Sequence, residues 1–336
     1  MKQKLNIALV GATGAVGSEF LTLLAKRNFP VNSLRALASP ASAGKKVIFN
    51  NQELTVQTLT HNSFEGIDLA FFSAGAERSK EFAPSAVKAG ALVIDNSSAF
   101  RMDDDVPLVV PECNAKDSFS HKGIIANPNC STIQLLVAIK PLHDYGTLTK
   151  LKVATYQAVS GSGAKAIEEL STQARDFVNN RSLKHSVYPE PIFGNALPHV
   201  DIFLDNGYTK EEMKMVFETK KILHHPKLAI SATCVRIPVW RAHSESIWVK
   251  FERKIDRAMA KKLWLKAPGI KVMDGINNYP SPLKVVGEYD TFVGRIREDI
   301  SEKNGLCFWC VADQLLKGAA LNALQIAEAY YDIKPK

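Results

Sequence analysis

The chain has 336 residues, of which 46% are hydrophobic and 23% are charged, and its formal net charge is +8. This length is enough for two domains with separate cores, and no apolar run approaches the roughly 20 residues of a membrane-spanning helix. The first strand begins too close to Met1 for a signal peptide, and five scattered cysteines favour a reducing cytoplasm. Dispersed lysines without an aromatic–basic motif argue against nucleic-acid binding, so the charge favours anionic small molecules as ligands.

The first predicted elements form a nucleotide-binding pattern. An apolar strand at 4–10 and a helix at 18–27 flank a glycine-rich turn, Gly11-Ala12-Thr13-Gly14-Ala15-Val16-Gly17. The first glycine permits a tight turn, the second lets the backbone approach a pyrophosphate, and the third lets the helix pack on the strand. Glycines also occur in purely structural turns, but the order strand, turn, helix predicts a dinucleotide site.

The end of the second predicted strand, at 34–38, bears on the choice of cofactor. NAD enzymes carry an acidic residue there to hold the ribose 2′-hydroxyl. No Asp or Glu occurs between Phe20 and Asn51, and the loop after the strand offers hydroxyls and two lysines, Ser39, Ser42, Lys45 and Lys46. An acid would repel a 2′-phosphate, so its absence favours NADP, although the lysines also suit a solvated turn.

The remaining pattern predicts an α/β fold with two domains. Strands at 68–75 and 91–95 flank a helix at 81–89, whereas longer strands follow residue 148, at 151–159, 229–238 and 246–251. We therefore predict a Rossmann-type NAD(P)-binding domain over residues 1–130, completed by the C-terminal helix 314–336. Residues 131–313 are predicted to form an α+β catalytic and dimerisation domain with a mixed or antiparallel sheet.

Cys130 directly precedes an apolar segment that predicts a helix over 131–142, capped by Asn129 or Ser131. A thiol at a helix N-terminus faces the positive end of the helix dipole, which favours the nucleophilic thiolate. The alternative is a small buried cysteine at a helix start. Cys307 and Cys310 lie three residues apart in a predicted strand and so point to opposite faces, which indicates structural thiols and no metal site.

Several motifs occur in order along nearly the whole chain. They are the glycine-rich turn, Asp95-Asn96-Ser97-Ser98, Val109-Val110-Pro111-Glu112, Pro128-Asn129-Cys130-Ser131-Thr132, Gln157-Ala158-Val159-Ser160-Gly161, Asn195-Ala196-Leu197-Pro198, Glu211-Glu212-Met213-Lys214, Arg236-Ile237-Pro238-Val239, His243-Ser244-Glu245 and Lys317-Gly318-Ala319-Ala320. Together they resemble the aspartate-semialdehyde dehydrogenase family. The resemblance implies an NADP-dependent homodimer that reduces L-aspartyl 4-phosphate to L-aspartate 4-semialdehyde. This reaction serves the biosynthesis of lysine through diaminopimelate, and of threonine and methionine.

The resemblance also implies the catalytic roles. Cys130 would displace phosphate and form a thioester, which splits one difficult exchange into two accessible steps. His243 matches the acid–base residue, and its unperturbed pKa near 6.5 suits proton transfer at neutral pH. Gln157 would orient the substrate, and Asn129 with backbone N–H groups would stabilise the oxyanion.

Four matched residues are implied to bind the charged groups of the substrate. Arg236 would hold the α-carboxylate in a bidentate fork, and Glu211 would hold the amino group. Lys214, three residues later on the same helical face, and Arg101 would bind the phosphate. The alternative for Glu211 and Lys214 is an ordinary solvated helix pair.

Further matches concern the cofactor. Ser160 and Gly161 would lie against the nicotinamide, and Gln314 stands where many relatives have Asn in contact with the cofactor. Relatives often carry Arg at the position of Ala41, between Ser39 and Ser42. The resemblance therefore implies NADP use that is less strict than in relatives with that arginine.

Two alternative functions make different demands on the site. The related acetylglutamyl-phosphate reductases share the fold and chemistry but typically carry Gly before the nucleophilic cysteine, so Asn129 argues against them. A non-catalytic nucleotide-binding regulator would keep the glycine-rich turn. Such a protein need not keep Cys130, Gln157, Arg236 and His243 together.

Overall fold

The computed structural model describes residues 4–334. Contacts divide the chain into two compact units, one of Met1–Asn129 with Ala319–Lys336 and one of Cys130–Gly318. The expectation that no signal peptide precedes the first strand falls on residues 1–3, which lie outside the described residues. The last two residues of the predicted C-terminal segment, 335–336, also lie outside them.

The first unit contains a parallel sheet, as the alternation of strands and helices predicts. The strands of this unit are β1 (Leu5–Val10), β2 (Val31–Ala38), β3 (Lys46–Phe49), β4 (Gln52–Thr55), β5 (Gln57–Thr58), β6 (Leu69–Phe72), β7 (Leu92–Asp95) and β8 (Ile124–Ala126). The sheet has the order β5-β2-β1-β6-β7-β8, and every neighbouring pair is parallel. The strands β3 and β4 form a separate antiparallel pair. This confirms the parallel sheet predicted for the first domain.

The second unit contains a mixed sheet. Its strands are β9 (Leu148–Gln157), β10 (Ala229–Arg236), β11 (His243–Phe251), β12 (Ile270–Val272), β13 (Thr291–Glu298) and β14 (Gly305–Ala312). The order is β10-β9-β11-β14-β13-β12, with parallel pairs at the two edges and antiparallel pairs between them. This confirms the predicted mixed sheet.

The helices flank these sheets. They are α1 (Ala15–Lys26), α2 (Ala76–Lys88), α3 (Pro111–Asn114), α4 (Cys130–Gly146), α5 (Ala164–Val178), α6 (Lys210–Ile222), α7 (Arg257–Trp264), α8 (Pro282–Val285) and α9 (Leu321–Tyr330). The last helix begins at Leu321 rather than at Gln314, because a π-helical turn over Leu316–Ala320 precedes it. Within residues 4–334, no helix has the length and apolar character needed to cross a bilayer.

The helix α9 is held in the first unit by buried polar contacts. The Glu328 carboxylate accepts hydrogen bonds from Nε and Nη2 of Arg27, both at 2.7 Å. The Asn322 amide donates to Val109 O at 3.1 Å and to Asn127 Oδ1 at 2.7 Å. These contacts fix the loop that precedes α4 against the C-terminal helix.

One face of the second sheet is buried. Along β11, His243, Glu245 and Ile247 are each 0% exposed, whereas Trp248 is 36% exposed. Successive side chains of a strand point to opposite faces, so His243 and Glu245 share the buried face with Ile247. The helices α4 and α6 pack on the sheet, and α4 brings Cys130 at its first residue.

Candidate active site

Cys130 is half-buried at the first residue of α4, as the sequence predicts. Its position lets the helix dipole favour the thiolate. Gly318 packs directly against it, since a Cβ on Gly318 would come within 2.8 Å of the Cys130 Cβ. Asn129, which the sequence predicts as an oxyanion donor, immediately precedes the helix and is 7% exposed.

His243 is the first residue of β11 and is fully buried. Its Nδ1 accepts a hydrogen bond from the Ala158 N–H at 3.0 Å. A backbone N–H can only donate, so the proton of the neutral ring lies on Nε2. Among the described residues, Nε2 has no hydrogen-bond partner. The ring therefore presents a free Nε2–H donor.

The environment of His243 keeps the imidazole neutral. Burial lowers its pKa to about 3, with a further lowering from the Arg236 cation and an opposing effect of Glu211. The ordinary histidine pKa that the sequence suggests is therefore displaced because the ring is buried beside a cation. At neutral pH the residue acts in this site as a hydrogen-bond donor without a charge.

Arg236 ends β10, next to Gln157 in the adjacent strand β9. Its Nη1 donates to Ala158 O at 2.7 Å, and its guanidinium lies 5.9 Å from the centre of the Tyr188 ring. The buried Nε has no partner in the described residues. A Cβ on Gly161 would come within 3.2 Å of both Arg236 Nη1 and His243 Nε2, so the glycine keeps the space between them open.

Gln157, Glu211 and Lys214 form one polar network in the second unit. The Gln157 amide donates to Ser131 Oγ at 2.8 Å and to Glu211 Oε1 at 3.0 Å. Lys214 Nζ donates to Glu211 Oε2 at 3.0 Å and to Asp201 at 2.7 Å. Burial lowers the Lys214 pKa, but the two carboxylates outweigh it and the net shift is upward. The pair is thus part of a half-buried network rather than a solvated helix face.

Three of the buried polar atoms in this unit that have no partner within residues 4–334 belong to predicted site residues. They are the donors Arg236 Nε and His243 Nε2 and the acceptor Gln157 Oε1. An unsatisfied buried polar group costs about 1–3 kcal/mol, so such groups are rare without a purpose. Two donors and one acceptor in the unit that carries the helix-start cysteine suit a small ligand with an anionic group and a carbonyl.

The first unit carries a cavity of about 240 Å³ at the glycine-rich turn, which we call the nucleotide cavity. Gly11 has φ +91°, and a Cβ there would meet Ser73 O at 2.4 Å. A Cβ on Gly17 would meet Gly11 O at 2.2 Å, as the predicted close packing of helix on strand requires. The turn therefore fits a dinucleotide phosphate, which needs exposed backbone N–H groups at a helix start.

The other predicted cofactor residues of the first unit occupy the same region. Thr13 and Ser39 line the cavity, and Ala12 is buried beneath it in the turn. Ala15 and Val16 form the first turn of α1. Ala41 and Ser42 lie on a short 3-10 turn directly after Ser39.

The Gln314 side-chain amide both donates and accepts a hydrogen bond within the second unit. Its Nε2 donates to Ser160 Oγ, and its Oε1 accepts from the Ala242 N–H at 2.7 Å. Ala242 has φ +73°, a conformation uncommon for a residue with a Cβ. The amide thus ties the Ser160–Gly161 turn to the residue that precedes His243.

Arg101 lies in the first unit and is 7% exposed. Its Nε donates to Asn127 O and its Nη2 donates to Asn96 O, both at 2.9 Å. These carbonyls orient the guanidinium at the end of the loop that follows β7. Asn127 precedes Cys130 by three residues, so the arginine also holds the chain that leads to Cys130.

Sequence reasoning missed several groups that position the site. The backbone of Ala158 binds both Arg236 and His243, and Ser131 binds Gln157. Contacts made by the backbone leave no signal in the sequence. Glu245, in contrast, could have been found from its spacing to His243. It lies two residues after His243 in a strand and therefore shares its buried face.

Glu245 is fully buried, and neither carboxylate oxygen has a hydrogen-bond partner of ordinary geometry in the described residues. Burial raises its pKa well above the usual value, although the nearby Gln134 amide opposes this shift. The Oε1 of Gln134 also has no donor within residues 4–334, while its Nε2 lies 3.5 Å from His243 O. A protonated Glu245 can donate to such an oxygen, so we infer that it is neutral in the folded protein.

Replacing Glu245 by glutamine should therefore stabilise the protein at neutral pH and leave it nearly unchanged in acid. Between the ordinary glutamate pKa and the raised native pKa, the folded state keeps a proton that the unfolded state loses. The folded state then binds more protons, so stability falls as pH rises through this window. Glutamine removes that fall because it does not ionise.

Urea unfolding at about pH 5 and about pH 8 measures this effect. The change in the free energy of unfolding between the two pH values reflects the difference in bound protons between the folded and unfolded states. The gain for Glu245→Gln should be larger at the higher pH. Glu53→Gln, at an exposed position of β4, serves as the control. A gain that is the same at both pH values would show that Glu245 is ionised in the folded protein.

Comparisons with known proteins identify the family of the chain. Residues 6–121 match the family model described as semialdehyde dehydrogenase, NAD binding domain, and residues 139–317 match semialdehyde dehydrogenase, dimerisation domain. The aspartate-semialdehyde dehydrogenase of Legionella pneumophila is 52% identical over 98% of this chain and 96% of its own. That of Aquifex aeolicus is 53% identical over 96% of this chain and 97% of its own.

Solved structures show the same likeness. Aspartate semialdehyde dehydrogenase II from Vibrio cholerae, complexed with ASA, has a TM-score of 0.96 and 43% identity, over 98% of this chain and 99% of its own. The structure of the Candida albicans enzyme with NADP has a TM-score of 0.77 and 26% identity, over 99% of this chain and 100% of its own. The chain therefore belongs to the aspartate-semialdehyde dehydrogenase family.

Proposed function

We propose that the protein is an NADP-dependent aspartate-semialdehyde dehydrogenase, which reduces L-aspartyl 4-phosphate to L-aspartate 4-semialdehyde and releases phosphate. The observation that carries the proposal is the combination of Cys130 at a helix start with unpartnered buried donors on Arg236 and His243 in the same unit. A thiolate, an oxyanion donor and a carboxylate clamp are the groups that acyl transfer from an amino-acid acyl phosphate requires.

In this mechanism the Cys130 thiolate attacks the acyl carbon of the substrate. A carbon–sulfur bond forms, the carbon–oxygen bond to phosphate breaks, and phosphate leaves with the electron pair. When bound, the reduced nicotinamide supplies the hydride that converts the thioester to a thiohemiacetal. Collapse of the thiohemiacetal releases the aldehyde and restores the thiolate.

His243 would stabilise the oxygen of the reacting carbonyl. Its Nε2–H is buried and has no partner among the described residues, and the Ala158 N–H fixes the tautomer that presents it. Negative charge that develops on this oxygen would raise the histidine pKa from its low value in the empty site. The neutral ring keeps this proton and offers it in a hydrogen bond, so the thiohemiacetal oxyanion can collapse directly to the aldehyde and the Cys130 thiolate.

The substrate's fixed charges would be held around this centre. Arg236 offers its Nε and guanidinium edge to the α-carboxylate, while Nη1 remains on Ala158 O. Glu211, 6% exposed, would exchange a contact with Gln157 or Lys214 for the substrate ammonium group. Lys214 and Arg101 would then bind the phosphate, with Gln157 orienting the acyl group.

The cofactor is proposed to be NADP rather than NAD. Ser39 at the end of β2 lines the nucleotide cavity, and no acidic residue is among the described residues that line it. An acid at this point would hold the 2′-hydroxyl of NAD and repel the 2′-phosphate of NADP. Ser160 and Gly161 are proposed to lie against the nicotinamide.

We also propose that the protein forms a homodimer through the outer face of the second sheet. Side chains of Tyr156, Trp248 and Trp309 lie on that face, and the rings of Tyr156 and Trp309 are 5.3 Å apart. Two depressions of about 430 and 510 Å³ are lined by residues of these strands, including Trp248 and Trp309. Aromatic side chains that remain partly exposed on a sheet face are typical of a subunit interface.

Initial rates of NADP⁺ reduction test the proposed reaction in its reverse direction. The purified protein should reduce NADP⁺ with L-aspartate 4-semialdehyde only when phosphate is present. N-acetyl-L-glutamate 5-semialdehyde is the matched control, and it should give little or no turnover. Preferential use of the acetylated substrate, or reduction that is independent of phosphate, would overturn the proposal.

A further inference from the structure

The nucleotide cavity of the first unit is lined at one side by α2. The cavity lies at the carboxyl ends of the adjacent strands β2, β1 and β6, and Arg78 from the first turn of α2 completes its wall. It is the one charged side chain among the described residues that line this cavity. The cavity therefore combines a glycine-rich phosphate turn with a single guanidinium.

The Arg78 side chain is available for a ligand. The residue is exposed, and it forms no ion pair or side-chain hydrogen bond within residues 4–334. Its helical neighbour Glu81 is also exposed and does not bind it. Arginine is always charged and offers several N–H donors in a planar fork, which matches a phosphate group.

The other cationic candidates near the cavity are less suitable. Ala41, on the turn after Ser39, has no charged group, and Lys46 Nζ donates to Thr55 Oγ1 at 2.7 Å. Neither Lys45 nor Lys46 lines the cavity. The 2′-phosphate of a bound NADP thus has one arginine available in the cavity wall.

We propose that Arg78 binds the ribose 2′-phosphate of NADP and sets the preference for NADP over NAD. The proposal rests on the proposed function, since it takes NADP to be the cofactor. Ser39 lies in the same wall and supplies a hydroxyl beside the ribose, while Arg78 supplies the charge. The preference for NADP then comes from α2, the helix that follows β6, rather than from the loop after β2.

Titration calorimetry of the protein without cofactor tests this role directly. Arg78→Ala should weaken binding of NADP⁺ and of adenosine 2′,5′-diphosphate by roughly 10- to 100-fold, the effect of one charge-assisted contact. Binding of NAD⁺ and of ADP should change by less than about threefold, within the scatter expected of a surface substitution. Arg78→Lys should be intermediate because it keeps the charge and loses the fork.

Lys80→Ala is the matched control, because Lys80 is exposed on the same helix and does not line the cavity. Equal losses with NAD⁺ and NADP⁺ in Arg78→Ala would overturn the proposal and assign the arginine to the shared pyrophosphate or adenine. Unchanged NADP⁺ binding in Arg78→Ala, with a wild-type preference for NADP⁺, would overturn it while leaving the proposed cofactor intact. A wild type that binds both dinucleotides equally would overturn the proposed cofactor itself.

Discussion

Cys130→Ala should abolish turnover, whereas the variant should bind NADP⁺ with wild-type affinity. Loss of a covalent nucleophile removes the reaction route rather than weakening one contact along it. The helix start needs no side chain from this residue, and alanine is a good helix former, so α4 should be retained. Steady-state rates with L-aspartate 4-semialdehyde and calorimetric NADP⁺ titration are the two measurements.

Cys113→Ala is the control for the Cys130 variant. Cys113 is half-buried in α3 of the first unit, and no part of the mechanism uses it. It should keep activity within about threefold of wild type, as expected of a substitution away from the chemistry. Retained activity in Cys130→Ala, or loss of activity in both variants, would reject the thioester mechanism.

Arg236→Lys should lower kcat/KM for the semialdehyde by roughly 30-fold or more, about 2 kcal/mol of transition-state stabilisation. Lysine keeps the charge, but it cannot bind Ala158 O and a carboxylate at once through a rigid planar fork. A misheld carboxylate misplaces the reacting carbon relative to Cys130, so kcat should fall together with the rise in KM.

The control for Arg236 is Arg175→Lys, at an exposed position of α5 where the arginine pairs with Glu168. That variant should retain wild-type kinetics, because exposed ion pairs contribute little. NADP⁺ affinity should be unchanged in both proteins. Wild-type kcat/KM in Arg236→Lys would show that this arginine does not hold the substrate carboxylate.

The fold was largely predictable because its signals are local. Apolar strands ending in small-residue turns gave the parallel sheet, and the longer strands after residue 148 gave the mixed sheet. The helix after Cys130 was predicted over 131–142 and is observed over Cys130–Gly146. The final helix was misplaced at its start, because the π-helical turn over Leu316–Ala320 keeps an apolar helical pattern with a different hydrogen-bond spacing.

Motifs in the sequence predicted the residues of the candidate site, but they did not predict the pKa or the tautomer of His243. A sequence gives His243 its ordinary pKa, whereas burial beside Arg236 lowers it to about 3. Its tautomer depends on the Ala158 N–H, which belongs to a different strand end. Arg78 carries no motif and enters the nucleotide cavity only because β6 and α2 bring it there. Long-range pairing determines these properties, and local patterns do not encode it.

Ala158 contributes to the site through its main chain alone. Its N–H binds His243 and its C=O binds Arg236, so one residue sets the spacing between the proposed oxyanion donor and the proposed carboxylate clamp. An alanine scan passes over this position, since the residue is already alanine and its role lies in the two peptide groups. The distance between the His243 and Arg236 side chains is consequently set by the main chain at Ala158. Attempts to adapt the enzyme to a longer or shorter amino-acid substrate would have to reshape the 157–161 turn rather than exchange side chains.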